Sequence, residues 1–322
     1  MASGKLYLLA LVFLAAADKS ATTNALNPPA FGLRGVNHEK DAREDSSVES
    51  KTDSDDDSLK VNPSGGGGVI IGTRISMVSL DYYGKQTWGV DDCNRARYLK
   101  DRDTQNWKQP PKNNGRMTTL HTAGNGIGIW GVGTDNKIYR YATNKKEDGW
   151  IRQNGNLNQI SVTYGEETLY GIWKGNIYVA NKNDDYNWNK MSSTYNTMDY
   201  VEVSGDGKKV YAISEGGRFF KRNNGNWIWQ MDAPQNMKQV STDHYGKILY
   251  AVDEDENLFS CDNSVWRRED GPELKHVSVE GGAKEVMGVN YKNDVYAARV
   301  VNGRTVEWKF IMNATHTDEI AW

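Results

Sequence analysis

Short apolar runs broken by polar turns fill the chain from about residue 75 onward, and none has the length or 3.6-residue spacing of an amphipathic helix. Residues 156–193 show the pattern most plainly. ISV, LYGIW, NIYVAN and a segment around NWNKM follow one another, each rich in Val, Ile, Tyr or Trp and each bounded by Gly, Asn or Asp. That composition marks strands and turns.

The four-strand pattern recurs. Aligned on its second strand, it reads Trp88-Gly89-Val90, Trp130-Gly131-Val132, Tyr170-Gly171-Ile172, Tyr211-Ala212-Ile213, Tyr250-Ala251-Val252 and Met287-Gly288-Val289. The third strand follows in register as Ile138-Tyr139-Arg140, Ile177-Tyr178-Val179, Phe219-Phe220-Lys221, Leu258-Phe259-Ser260 and Val295-Tyr296-Ala297, with Arg97-Tyr98-Leu99 as an irregular first copy. A Trp closes each copy: Trp107, Trp150, Trp188, Trp229, Trp266 and Trp308. Six four-stranded copies at a period of roughly 40 residues predict an all-β fold, a six-bladed β-propeller. One such sheet has two apolar faces and cannot bury both alone, whereas a ring of blades buries each face on its neighbour. Gly or Ala beside the second-strand aromatic is expected to allow close backbone approach, and the closing Trp to pack between blades.

The repeat of W/Y-G-V/I, polar turn, I-Y-R/V and trailing W resembles the tectonin repeat of tachylectin-type and fish-egg lectins and slime-mould tectonins. The resemblance covers roughly residues 75–309 and is clearest in GIWGVGTDNKIYRYATNKKEDGWIRQNGNLNQISV. It implies a six-bladed propeller, often a lectin for surface glycans and sometimes a protein-binding platform.

Upstream, residues 1–17 read as a signal peptide: Lys5, then an apolar run over 6–16, then an A-x-A cleavage site at Ala15-Ala16-Ala17. The run is too short to span a bilayer. Residues 18–68 read as a disordered acidic leader, with nine acidic and four basic residues over 39–60 and four glycines at 65–68 as a hinge. The propeller is expected over 69–322, with the two ends meeting and 319–322 as a further strand candidate. Phe31-Gly32-Leu33-Arg34 followed by Arg43-Glu44-Asp45 is similar to the leader of oomycete RxLR effectors, with Leu33 and Arg34 matching the last two motif positions, Phe31 in place of the first Arg, and the acidic cluster scrambled. That similarity implies delivery into a host cell.

Residues 1–68 hold seven basic and ten acidic residues, which is the whole chain's −3, so the propeller segment is close to neutral. Without a basic stripe or a polybasic amphipathic helix, neither nucleic acid nor membrane insertion is expected. Cys93 and Cys261 fall in copies one and five, separated in the ring by copy six, so no disulfide is expected. The five histidines have no second His or Cys at ligand spacing, so no metal or cofactor is expected. No nucleophile motif is present, and Ser204-Gly205-Asp206-Gly207 reads as a hairpin turn and not a sialidase box. Asn313-Ala314-Thr315 is a glycosylation sequon.

The expected function is therefore secreted, non-enzymatic recognition of a glycan or a surface partner, the alternative being an RxLR-like effector that binds a host protein and alters immunity or cell death. The expected lectin site lies on the turns between second and third strands, at Asp135, Asn136, Trp173, Asn176, Asp253 and Asn290. Carboxylates and amides hydrogen-bond sugar hydroxyls, and an exposed Trp stacks on the apolar face of a sugar ring. Trp173 is the strongest candidate, because the other copies place Gly, Ser, Asp or Asn there.

Overall fold

A computed structural model describes residues 74–99, 107–110, 115–124, 126, 128–142, 149–191 and 197–311. The chain divides into two units, Met1–Gly65 and Gly66–Trp322, and all described residues belong to the second. The signal segment 1–17, the leader residues Leu33, Arg34, Arg43, Glu44 and Asp45, the sequon at Asn313 and the strand expected at 319–322 lie outside them.

The described residues form six four-stranded antiparallel sheets, each a simple meander. Blade I holds β1 (Ile75–Leu80), β2 (Thr87–Asp91), β3 (Ala96–Leu99) and β4 (Trp107–Lys108). Blade II holds β5 (Met117–Thr122), β6 (Ile129–Gly133), β7 (Lys137–Ala142) and β8 (Gly149–Asn156). Blade III holds β9 (Gln159–Val162), β10 (Thr168–Trp173), β11 (Asn176–Asn181) and β12 (Asn189–Lys190), with a 3-10 turn at Lys182–Asp184. Blade IV holds β13 (Met198–Val203), β14 (Val210–Ser214), β15 (Phe219–Asn223) and β16 (Asn226–Trp229). Blade V holds β17 (Met237–Thr242), β18 (Ile248–Asp253), β19 (Leu258–Asp262) and β20 (Val265–Arg268). Blade VI holds β21 (His276–Val279), β22 (Glu285–Val289), β23 (Val295–Val301) and β24 (Arg304–Ile311). Among the described residues no helix is long and apolar enough to cross a membrane.

The core is six apolar clusters, one between each pair of adjacent blades. Between II and III, for example, Trp130, Val132 and Ile138 meet Leu157, Ile160 and Leu169. The cluster joining Ile75, Val78 and Trp107 to Met287, Val289 and Ile311 closes the ring between the first and last blades. In the four blades that carry it, the second-strand glycine is needed for this packing. A Cβ at Gly171 would stand 2.4 Å from the Leu157 side chain, and one at Gly288 would stand 2.4 Å from Leu274.

First strands of neighbouring blades do not pair, so buried amides facing the next blade need other partners. Polar side chains on the first strands supply them. Gln159 accepts from Val201 N (3.2 Å) and donates to Val201 O (2.9 Å), and Gln239 does the same with Val277 N (2.8 Å) and O (2.7 Å). Ser79, Ser161, Ser241 and Ser278 accept from Thr122 N, Val203 N, Val279 N and Leu80 N at 2.9–3.1 Å.

One part of the repeat needs correction. The closing Trp of blade IV is Trp227, paired with Arg222 and packed on the III–IV cluster, not Trp229. The two lie two residues apart, on the same face of a strand, so periodicity cannot choose between them. Trp229 lies beyond the cluster, 37% exposed, under the Arg218 guanidinium. Cys93 is exposed and Cys261 buried, and neither is bonded.

Candidate functional site

In each meander the turns after the first and third strands share one end of the ring, and the turns after the second strand share the other. The six residues expected to bind glycan sit at the second end, where most serve their own turns. Asp135 accepts from Lys137 N (3.0 Å) and the Tyr139 hydroxyl (2.9 Å). Burial raises its pKa, but these two hydrogen bonds outweigh that and hold the carboxyl below its ordinary range. Asn136 supplies the left-handed backbone of the turn at φ +60°. Asp253 is buried and accepts from Asn257 N (2.8 Å) and Nδ2 (2.9 Å). Asn290 accepts from Lys292 N and Asp294 N, both at 2.9 Å. Asn176 donates to Lys174 O (2.9 Å). Trp173 is half-buried against the II–III cluster, with Lys174 Nζ 5.5 Å from its ring centre. These six are thus spread over blades II, III, V and VI. Asp and Asn recur there because their side chains bond backbone amides two residues on.

The first strands line a central cavity of about 200 Å³. One tier of its wall is Met77, Thr119, Gln159, Tyr200, Gln239 and His276; the next is Ser79, His121, Glu202, Ser241 and Ser278, with the fully buried Ser161 at the equivalent register position of blade III. Thr119 Oγ1, His121 Nδ1 and His276 Nδ1 are buried there without a protein partner. Burial, followed by the charges of Lys275 and His121, pushes the His276 pKa down to about 3, so its ring is neutral at physiological pH. Ser161 Oγ lies 3.3 Å from His121 Nε2 and donates to Glu202 Oε2 (3.1 Å), which is itself 3.6 Å from the same Nε2. A nucleophilic triad has the carboxylate on one ring nitrogen and the hydroxyl on the other. Here both address Nε2, and the Ser161 proton is directed to the carboxylate.

One end of the cavity is stoppered by rings that the sequence reading did not pick out. Tyr82, Tyr164 and His244, from the turns after the first strands of blades I, III and V, pack edge to face with centroids 4.9–5.4 Å apart. Blades II, IV and VI place Gly124, Gly205 and Gly281 at the same position, and their carbonyls accept from Tyr82 N to Gly124 (3.2 Å), Tyr164 N to Gly205 (2.8 Å) and His244 N to Gly281 (2.9 Å). A Cβ on any of the three glycines would stand 2.2–2.3 Å from a Tyr164, His244 or Tyr82 ring atom, so only glycine fits between the rings. Tyr83 and Tyr245 extend the plug outward, 54% and 52% exposed, with Lys85 and Lys247 over their rings at 5.4 and 5.8 Å. The Tyr83 and Tyr164 hydroxyls meet at 3.3 Å. Five contiguous rings thus form a platform on the axis. The signal in the sequence is an alternation between copies: DYYG, TYGE and DHYG in the odd blades against AGNG, SGDG and EGGA in the even ones.

No curated protein matches the chain. Among solved structures it is similar to the β-propeller domain of Cps50 (Swd1) from Myceliophteria thermophila, at 10% identity and TM-score 0.54, covering 76% of this chain and 88% of that one. It is also similar to U3-55K, at 7% identity and TM-score 0.54, covering 73% and 81%. At such identities the likeness is one of fold alone. The Tectonin domain family model matches residues 64–250, more than half of the chain. With six blades, their inter-blade clusters and that match together, the chain belongs to the Tectonin domain family.

Proposed function

We propose that the propeller is a non-enzymatic recognition module that binds a glycan on the Tyr platform at its axis. The supporting observation is the platform itself: five contiguous aromatic rings, two of them more than half exposed, held in place by interleaved glycines. Tyr offers a flat apolar face and a hydroxyl at little conformational cost, which suits stacking and hydrogen bonding to a sugar. Lys85 and Lys247 add donors at its rim. The family match supports a binding role. Export through residues 1–17 belongs to the same proposal and is tested by sequencing the N-terminus of protein recovered from culture medium.

The binding test is a glycan-array screen of the full chain beside the Tyr83→Ala/Tyr245→Ala double variant. Both side chains are exposed, so the variant keeps its fold. Array binding that the double variant loses supports the proposal. Binding that survives in it, or no binding by folded protein, refutes it.

A further inference from the structure

Among the described residues each blade ends in an outer strand with an open edge. Open edges recruit other strands unless charge blocks them. Five of the six carry charge: Lys108 on β4, Arg152 on β8, Lys190 on β12, Arg267 and Arg268 on β20, and Arg304, Glu307 and Lys309 on β24. Blade IV differs, because β16 reads Asn-Trp-Ile-Trp without a charge. Its surroundings are apolar and exposed, with Ile228 at 46%, Trp229 at 37% and Met231 at 71%. Trp229 has no role in the inter-blade core, since Trp227 fills that position. Trp, Met and Arg are the residues enriched at protein interfaces.

Two cations flank this edge, one on each face: Arg218 lies 5.2 Å over Trp229, and Lys221 stands opposite Ile228. Arg222, opposite Trp227, is turned into the III–IV boundary, where its Nε is buried beside Tyr170. Neither β15 nor β16 contains an acidic residue. Among the described residues no carboxylate pairs with Arg218, Lys221 or Arg222. A second copy of the chain would bring Arg218 and Lys221 to the same edge, so self-pairing is opposed by charge.

The geometry points to β16 as a docking edge for an extended segment of a partner protein in which apolar and acidic residues alternate. That segment adds a fifth strand to blade IV. Its backbone pairs with the open edge of β16, its apolar side chains lie on Trp229 and Met231, and its carboxylates, on the opposite face, reach Lys221 beside Ile228. Backbone pairing gives affinity and the alternating side chains give selectivity. This surface is separate from the Tyr platform and does not depend on it.

The test is an array of immobilised octapeptides in which apolar residues alternate with acidic, neutral or basic ones, probed with the full chain. Binding is expected on the acidic set, at least tenfold above the basic set, and lost when the peptide backbone is N-methylated. Ile228→Lys is expected to abolish it, and Lys221→Glu to shift preference toward basic peptides, an exchange that misfolding cannot produce. Tyr83→Ala/Tyr245→Ala is expected to change nothing. Equal binding to N-methylated peptides, or no preference for the acidic set, overturns the proposal. So does a dimer in sedimentation that Ile228→Lys dissociates, which would make a second copy the occupant.

Discussion

Replacing Gln239 by Leu tests whether the polar residues around the axis hold the blades together. Gln239 bonds both Val277 N (2.8 Å) and Val277 O (2.7 Å) across the V–VI boundary, and Val277 is fully buried. Leu keeps much of the volume but removes both partners. A buried polar group left unpaired costs about 1–3 kcal/mol, so two cost about 2–5 kcal/mol once water in the adjoining cavity relieves part of the loss. For a domain of this size each kcal/mol lowers Tm by about 2–4 °C, so the expected drop is about 5–15 °C. Gln153→Leu is the control, because Gln153 bonds only Ile151 O within its own strand (3.2 Å). Thermal unfolding followed by near-ultraviolet circular dichroism reads both variants. A Gln239→Leu shift below about 2 °C, or one matched by the control, would refute the reasoning and leave the apolar clusters as the only cement between blades.

Other expectations follow from the same geometry. His276 has a folded pKa of about 3 against an ordinary value of about 6.5. The unfolded chain therefore binds a proton that the folded chain refuses between those values, and stability is full above pH 6.5 and falls as pH drops toward 3. His276→Gln, with the residue that blades III and V use at this position, should flatten that loss by on the order of a few kcal/mol in urea melts at pH 4 relative to pH 7.5; parallel curves would count against it. Gly281→Val would put a Cβ 2.3 Å from the Tyr82 ring and 2.9 Å from Tyr82 Cα, and should lower Tm and end platform binding together; an unchanged Tm would show that the stopper is loose. Trp173→Ala removes a half-buried ring from the II–III cluster and should cost about 1–2 kcal/mol, whereas no change in stability would return Trp173 to the surface. Cys93 should react with a thiol reagent in native protein, while Cys261, buried and with its pKa pushed up to about 11 by burial, should react only after unfolding, as a two-step titration in denaturant would show.

The blades were legible because the inter-blade core repeats. Each copy buries the same second- and third-strand positions on its neighbour, so Trp130, Tyr170 and Tyr211 recur at one spacing. The site was less legible, for two physical reasons. Polar turns and sugar sites use the same residue types, and Asp135, Asp253 and Asn290, expected as ligands, also make the hydrogen bonds that close their own turns. Trp173 read as exposed because the other copies lack an aromatic there, but blade II offers it an apolar surface that sequence spacing does not reveal. The platform was missed because its signal is a difference between copies, and a search for repetition averages it away.

That difference sets the valency the proposed function requires. Positions shared by all six blades are occupied by turn closure, blade-to-blade hydrogen bonds and inter-blade packing, so none yields six equivalent open sites. At the axis the rings of Tyr82, Tyr164 and His244 already stand 4.9–5.4 Å apart. The interleaved glycines admit no Cβ, so no fourth ring fits. The outward neighbours break the remaining threefold pattern, with Tyr83 and Tyr245 in blades I and V against Gly165 in blade III. One platform per chain follows, and the proposed function then requires one bound ligand per chain. Isothermal titration with whichever glycan the array selects should give a stoichiometry near one. A value near six would move the site to the repeated turns at the opposite end of the ring and sink the platform as the recognition surface.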